Sequence, residues 1–400
     1  MEVDKRLASR VERLTESKTL KMARLSRELK EQGIDIISLS LGEPDFETPE
    51  HIRNAAVKAM DEGFTHYPPV AGYLDLREAI AKKYNDKFNM GVSPENVLVS
   101  TGAKHSLANL IMSLIDEGDE VLIPAPYWVT YPEQVAMAGG TVRTVDAGVE
   151  QDYKITAEQL DEALKQDTRM LIFSSPSNPT GSVYSRDELA SFAEVFRKYP
   201  NLVIVSDEIY ELINFVGEHQ SLSEFKDLHD RLVIVNGVSK GYAMTGWRLG
   251  YIVAPKWIVG PCTKIQGQLT SGGNSITMKA AKAAIEDDKS AAKAMLVEFK
   301  KRRDFLLEAF AAEPRLKMNK PEGAFYLFID ISAFFGTKSS NASISNAEDL
   351  IMYLLDQAHV SMVEGGAFGS PNCLRISYAA SLEQLEEASN RILKALSELK

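Results

Sequence analysis

Short apolar runs that stop at polar or small residues recur through the first two thirds of this chain, separated by stretches with helical spacing. Asn96–Ser100 reads NVLVS, Glu120–Ile123 EVLI, Met170–Phe173 MLIF, Leu202–Val205 LVIV and Val233–Val235 VIV. Runs this short and this apolar suit strands buried on both faces. Strand and helix in repeated alternation imply a mostly parallel sheet with helices on both sides. In such sheets ligands bind in the crevice beyond the carboxyl ends of the strands, so chemistry is expected of the residues just C-terminal to each run.

After Val233–Val235 come Asn236-Gly237, then Ser239 and Lys240, and eight positions on Arg248 follows Gly246-Trp247. A guanidinium there can hold a phosphate through two parallel hydrogen bonds while Ser239 adds a hydroxyl. A lysine amine beside an anion grip suits an aldehyde cofactor that carries a phosphate. A lone lysine after a strand is usually a solvated charge, so the weight lies on what the other strand ends carry. The run Leu202–Val205 ends in Ser206-Asp207-Glu208-Ile209-Tyr210, and Met170–Phe173 ends in Ser174-Ser175-Pro176-Ser177-Asn178-Pro179-Thr180-Gly181.

Further candidates stand at other junctions. Thr101-Gly102-Ala103-Lys104 opens a helix, whose free N–H groups and positive dipole end form a second phosphate grip. Pro124-Ala125-Pro126-Tyr127-Trp128 comes after another strand, and Trp128 reads either as a ring that stacks on a flat heteroaromatic or as a core residue. Gly42, after a strand expected over Ile36–Leu41, either lets its backbone approach a carboxylate or simply makes a turn. Arg375, in a half-buried strand Cys373–Tyr378, would be costly to bury without an anion.

Three motifs in this order, Asn178-Pro179-Thr180-Gly181, Asp207-Glu208-Ile209-Tyr210 and Ser239-Lys240 through Gly246-Trp247-Arg248, resemble the signature set of the class I pyridoxal-phosphate aminotransferases of fold type I. The resemblance covers nearly the whole chain, and finer features are similar to the bacterial and plant aspartate and aspartate/prephenate aminotransferases. It implies an α/β fold: a large domain with a mostly parallel seven-stranded sheet covered by helices, plus a smaller α+β domain. The expected divisions are 1–45 as an N-terminal segment and part of the small domain, 46–285 as the large cofactor-binding domain and 286–400 as the small C-terminal domain.

For the site, the resemblance implies pyridoxal 5'-phosphate captured by Lys240, which also serves as general base. Asp207 is expected at the pyridine nitrogen, Asn178 and Tyr210 at the phenolic oxygen, and Trp128 against the ring. Ser239, Arg248, Gly102, Ala103 and Tyr67 of a neighbouring subunit are expected at the phosphate, which implies a homodimer with shared sites. Arg375 is expected to clamp the substrate's α-carboxylate, with Gly42, Asn178 and Trp128 nearby. Lys104 and Thr19 are expected at the distal carboxylate, although an exposed helix lysine is an equal reading of Lys104. The implied reaction is transfer of the amino group between L-aspartate and 2-oxoglutarate; prephenate, aromatic or alanine specificity stay as alternatives, with a non-enzymatic regulatory module more distant.

Composition narrows this further. Lysine and arginine number 45 against 56 acidic residues, a net charge of −11, so no global basic field exists for nucleic acid or an anionic membrane. Cys262 and Cys373 form no paired motif, and the six histidines lack ligand spacing, so no metal site is expected. No apolar stretch is long enough to span a bilayer and the N-terminus lacks a signal-peptide core, so the expected location is the cytoplasm. A helix is expected from about Lys5 to Glu31, within which the resemblance makes Ser17–Thr19 a segment that folds over substrate. Long helical tracts such as Ala280–Ala311, a strand Ala324–Ile329 and a closing helix Leu382–Leu399 are expected in the remainder.

Overall fold

The computed structural model describes residues 6–12 and 14–400. Met1–Lys5 and Arg13 lie outside the described residues, and with them the expected start of the N-terminal helix. A two-residue strand, β1 (Ile37–Ser38), precedes the central sheet, which is built from β2 (Val97–Ser100), β3 (Glu120–Ala125), β4 (Thr141–Asp146), β5 (Thr168–Ser174), β6 (Val203–Asp207), β7 (Leu232–Gly237) and β8 (Gly250–Val253). The remaining strands are β9 (Lys317–Met318), β10 (Tyr326–Asp330), β11 (Val360–Ser361), β12 (Val363–Glu364) and β13 (Cys373–Ser377).

The central sheet has seven strands in the order β2-β8-β7-β6-β5-β3-β4, as the α/β reading requires. All neighbours run parallel except at β8, which is antiparallel to both β2 and β7. Because β8 is reversed, its first residue Gly250 lies opposite Ser100 and Gly237, the last residues of β2 and β7. Every residue of β2, β6 and β8 is buried, which explains their unbroken apolar runs. The side chains of β6 and β7 alternate between two cores: Ile204 and Ile234 pack on one face, Val203, Val205, Val233 and Val235 on the other.

A second body gathers the C-terminal part. Its antiparallel sheet runs β12-β13-β10-β9, and β1 pairs in parallel with β11. One core links Met22, Ile36 and Leu39 near the N-terminus with Phe299, Phe325, Tyr326 and Leu396, so the N-terminal stretch packs with residues from the far end of the chain.

Four local expectations are corrected. The N-terminal helix is broken into Ser9–Glu12 and Lys18–Glu31, because Thr15 gives its N–H (3.0 Å) and its hydroxyl (2.5 Å) to the Glu133 carboxylate instead of continuing a helix. The strand over Ile36–Leu41 shrinks to Ile37–Ser38, since β11 offers only two partners. The tract Ala280–Ala311 is two helices, Ser275–Glu286 and Ser290–Phe310. Asp287 and Asp288 accept the Lys289 and Ser290 N–H groups at 3.0 and 2.8 Å, the competition with helix that short acidic side chains offer. Finally, β13 is buried at all five positions rather than half-buried. A capping box forms at Ser185: its Oγ accepts the Glu188 N–H at 3.3 Å, and the Glu188 carboxylate accepts the Ser185 N–H at 2.7 Å. Among the described residues no helix is long and apolar enough to cross a membrane.

Candidate active site

A cleft of about 330 Å³ opens beyond the carboxyl ends of the central strands, with Tyr326 and Arg375 of the second sheet on its far wall. Lys240, three residues past β7, reaches into it and donates from Nζ to the Gly42 carbonyl at 2.5 Å. Burial pushes the amine down to about 8, against the pull of Glu43 and with help from the Arg375 and Arg248 charges. Roughly a tenth of the amine is therefore neutral, and nucleophilic, at pH 7, far more than for a lysine in water.

Asp207 ends β6 and is 3% exposed. Its Oδ2 accepts from the Tyr131 hydroxyl at 2.7 Å and its Oδ1 from the Ile209 N–H at 3.2 Å. Burial raises this acid to about 6, with the Tyr131 hydrogen bond opposing the rise, so it is mostly ionised at pH 7. Tyr210 shares a hydrogen bond of 2.7 Å with Tyr326, hydroxyl to hydroxyl, and burial holds the Tyr210 phenol in its neutral form.

Arg375 projects from β13 and is 2% exposed. Its Nη1 donates to Asn178 Oδ1 at 2.9 Å and its Nη2 to the Ser40 carbonyl at 2.7 Å, with the guanidinium over the rings of Tyr326 (4.4 Å) and Phe368 (4.8 Å). Both acceptors are neutral, and burial lowers the affinity of this group for its proton. Lys104 lies 5.1 Å from the centre of the Trp128 ring, its pKa lowered by burial and by Arg248. Among the described residues, none of Lys104, Lys240, Arg248 and Arg375 forms an ion pair with a carboxylate.

The helix Ala103–Leu114 begins at Gly102, whose φ of 87° suits glycine. A Cβ there would stand 2.6 Å from Arg248 Nη2, so the guanidinium closes directly over the helix start. The residues fit a phosphate-bearing aldehyde on these observations: a glycine whose side chain would fill the cradle, unsatisfied N–H groups at a helix start, an unpaired arginine, and a buried amine facing a buried carboxylate.

Of the residues singled out from sequence, Gly42, Ala103, Lys104, Trp128, Asn178, Asp207, Tyr210, Ser239, Lys240, Arg248, Arg375 and Thr19 all line this one cleft, and Gly102 adjoins it. Tyr67 does not: it is 92% exposed, in a loop that packs on Gly272–Ser275. Two residues escape a reading of the sequence. Tyr131 steers Asp207 and Tyr326 steers Tyr210 through hydroxyls that no periodicity reveals, and the Tyr326 ring lies against the Arg375 guanidinium; the trace is that both are tyrosines in otherwise apolar settings.

The chain matches the model of the family described as aminotransferase class I and II over residues 34–392. It is 44% identical to the bifunctional aspartate aminotransferase and glutamate/aspartate-prephenate aminotransferase of Petunia hybrida, over all of this chain and 85% of that protein. With the aspartate/prephenate aminotransferase of Nitrosomonas europaea it shares 42% identity, over 98% of this chain and all of the relative. Among solved structures, the aspartate aminotransferase of Rhizobium meliloti superposes with a TM-score of 0.95 at 36% identity, covering 98% of this chain and 99% of the other. That of Thermus thermophilus, determined with maleate, gives 0.91 at 35% identity over 97% and 99%.

Proposed function

This chain belongs to the class I and II aminotransferases, and from that premise we propose that it moves the amino group of L-aspartate to 2-oxoglutarate with pyridoxal 5'-phosphate. The observation that carries the reading is the set of three cations without carboxylate partners, Lys104, Arg248 and Arg375, around one amine and one buried carboxylate. Three unpaired cations match three anionic groups: the cofactor's phosphate and the two carboxylates of a dicarboxylic amino acid. A relative solved with maleate, a four-carbon dicarboxylate, supports that choice.

When bound, the cofactor supplies a ring that accepts the electron pair left as the substrate's Cα loses its proton. Lys240 Nζ, once free, takes that proton from Cα and later returns one. Asp207 holds a proton at the ring nitrogen; with its acid held at about 6, the carboxylate is available at neutral pH. Arg375 already binds Asn178 Oδ1, which turns the amide's Nδ2 into the donor for the ring's phenolic oxygen, beside Tyr210. Arg375 orients the α-carboxylate, Lys104 the distal one, with Gly42 and Thr19 at the substrate's edge. Ser239, Arg248 and the N–H group at Ala103 hold the phosphate, while Gly102, whose own N–H goes to the Ser100 carbonyl at 2.8 Å, leaves room for it by lacking a side chain. Trp128 covers the ring and excludes water.

Tyr67 is assigned to the phosphate of a neighbouring subunit, supported by its exposure outside its own cleft, which makes a homodimer the working unit. We place the large domain at 46–285 and the small one at 286–400, with cytoplasmic residence. The relatives' names favour a second reading in which prephenate, another dicarboxylate, also exchanges amino groups here. Adding aspartate to the purified protein carrying its cofactor should change its visible absorption and release oxaloacetate. Alanine reacting as well as aspartate would sink the dicarboxylate reading; prephenate tested in place of 2-oxoglutarate decides the second one.

A further inference from the structure

The segment Gly42–Thr48 contains two residues that transamination leaves without a task, Glu43 and Thr48. Opposite it runs the stretch Lys240–Arg248, which holds two non-glycine residues in the left-handed backbone region, Ala243 at φ 50° and Arg248 at φ 57°. Such residues persist only where surrounding contacts over-determine them. Here, beside the stretch's own internal bonds, two side chains of one segment reach it. Thr48 Oγ1 donates to the Ala243 carbonyl at 2.6 Å and accepts from Trp247 Nε1 at 3.0 Å. The Glu43 carboxylate accepts from the Thr245 hydroxyl, and the Thr245 carbonyl accepts from Arg248 Nη1 at 2.9 Å. Thr48 is buried, so water cannot replace these bonds if its hydroxyl is lost.

The segment is itself fixed. Asp45, between Glu43 and Thr48, takes a two-pronged ion pair from Arg302 on the helix Ser290–Phe310, at 2.7 and 2.9 Å. A pinned segment can hold a strained one in shape; a loose one cannot.

We propose that Glu43 and Thr48 are positioning residues for Arg248, holding the stretch 243–248 in the one shape that brings its guanidinium over the helix start at Gly102. The inference rests on the reading of Arg248 as the grip for the cofactor's phosphate. The space between Arg248 Nη2 and Gly102 has no room even for a methyl group, so a small change in backbone at Thr245 or Trp247 moves the guanidinium off its anion.

Two probes separate this role from a general loss of order: inorganic phosphate, which reports the grip alone, and pyridoxal, an aldehyde without phosphate, which reports Lys240 alone. Both are titrated into the full-length protein freed of carbonyl cofactor. Thr48→Val and Glu43→Ala should each weaken phosphate by about tenfold, the loss of a net hydrogen bond or two. Glu43→Gln, which keeps an acceptor for Thr245, should stay within about twofold of the parent. Glu43→Ala and Glu43→Gln both remove the charge beside Lys240, so any difference between them reports the hydrogen bond. Pyridoxal capture should be unchanged in Thr48→Val and equal in the two Glu43 variants. Equal phosphate binding by Glu43→Ala and Glu43→Gln, or pyridoxal falling in step with phosphate in Thr48→Val, would overturn the proposal. Arg248→Ala is the control. Unchanged phosphate affinity in that variant overturns both the phosphate reading and this inference, whereas a loss there with none in Thr48→Val and Glu43→Ala overturns the inference alone.

Discussion

Among the described residues two arginines are buried between aromatic rings, and one of the two has an acid to hold. Arg302 lies over Phe46 and Phe299 and gives both Nη groups to Asp45. Arg375 lies over Tyr326 and Phe368 and finds only an amide oxygen and a backbone carbonyl. The lysines repeat the contrast. Burial alone would push Lys83 down, yet the Glu211 carboxylate outweighs it and raises its pKa, with the Tyr251 hydroxyl at 3.1 Å. Lys240 meets only a carbonyl and falls to about 8. A buried cation with its counter-charge is structure, whereas a buried cation without one is a place prepared for an anion or for an amine that must react.

The sharpest way to break the contrast is to remove the amine. Lys240→Ala should lower transamination by more than about a thousandfold with the fold intact by circular dichroism; normal oxaloacetate release would end the lysine's role. Arg375→Met should cost roughly a thousandfold in kcat/KM for aspartate, while Arg302→Met should act on stability and leave the kcat/KM of the folded fraction far less changed. Equal kinetic losses would erase the distinction between the two arginines.

Lys83→Met strands a buried carboxylate and should cost about 3–5 kcal/mol in denaturant unfolding. Removing both charges, Lys83→Met with Glu211→Leu, should recover most of that. A smaller effect is expected at Lys104. Lys104→Ala should raise the KM for aspartate about tenfold, one lost charge-assisted contact, and leave alanine turnover unaltered; equal changes would make the lysine structural.

The finest test is pH. In protein freed of cofactor, competitive acylation of Lys240 should rise with a midpoint near 8, because a base whose proton affinity is lowered becomes neutral as pH climbs through that value. Lys83, raised by its partner, should stay protected across the same range. Similar midpoints for the two lysines would mean that pairing does not decide their chemistry.

Most of the sheet is legible in the sequence because strands buried on both faces are apolar without interruption, and the site because Asp207, Asn178 and Lys240 lie at or just past the ends of such strands; the edge strand β4, exposed or part-exposed at every position, carries no such run. What stays hidden depends on contacts far along the chain. Thr15 leaves the helix for Glu133, 118 positions away. Tyr131 meets Asp207 across 76 positions and Tyr210 meets Tyr326 across 116. Local spacing carries no record of such meetings. The break at Asp287–Lys289 is closer to the surface of the sequence, since two adjacent aspartates shortly before a serine offer the backbone other partners than helix.

The reversed strand β8 decides where the chain tolerates change in length. Its entrance, not its exit, faces the cleft, because Gly250 stands beside the final residues of β2 and β7. Arg248 is thus delivered by two residues of lead-in, with no slack. An inserted residue between Arg248 and Gly250 would slide the guanidinium along the rim. The same insertion after Val253, at the opposite edge, would be absorbed by a turn far from the ligands.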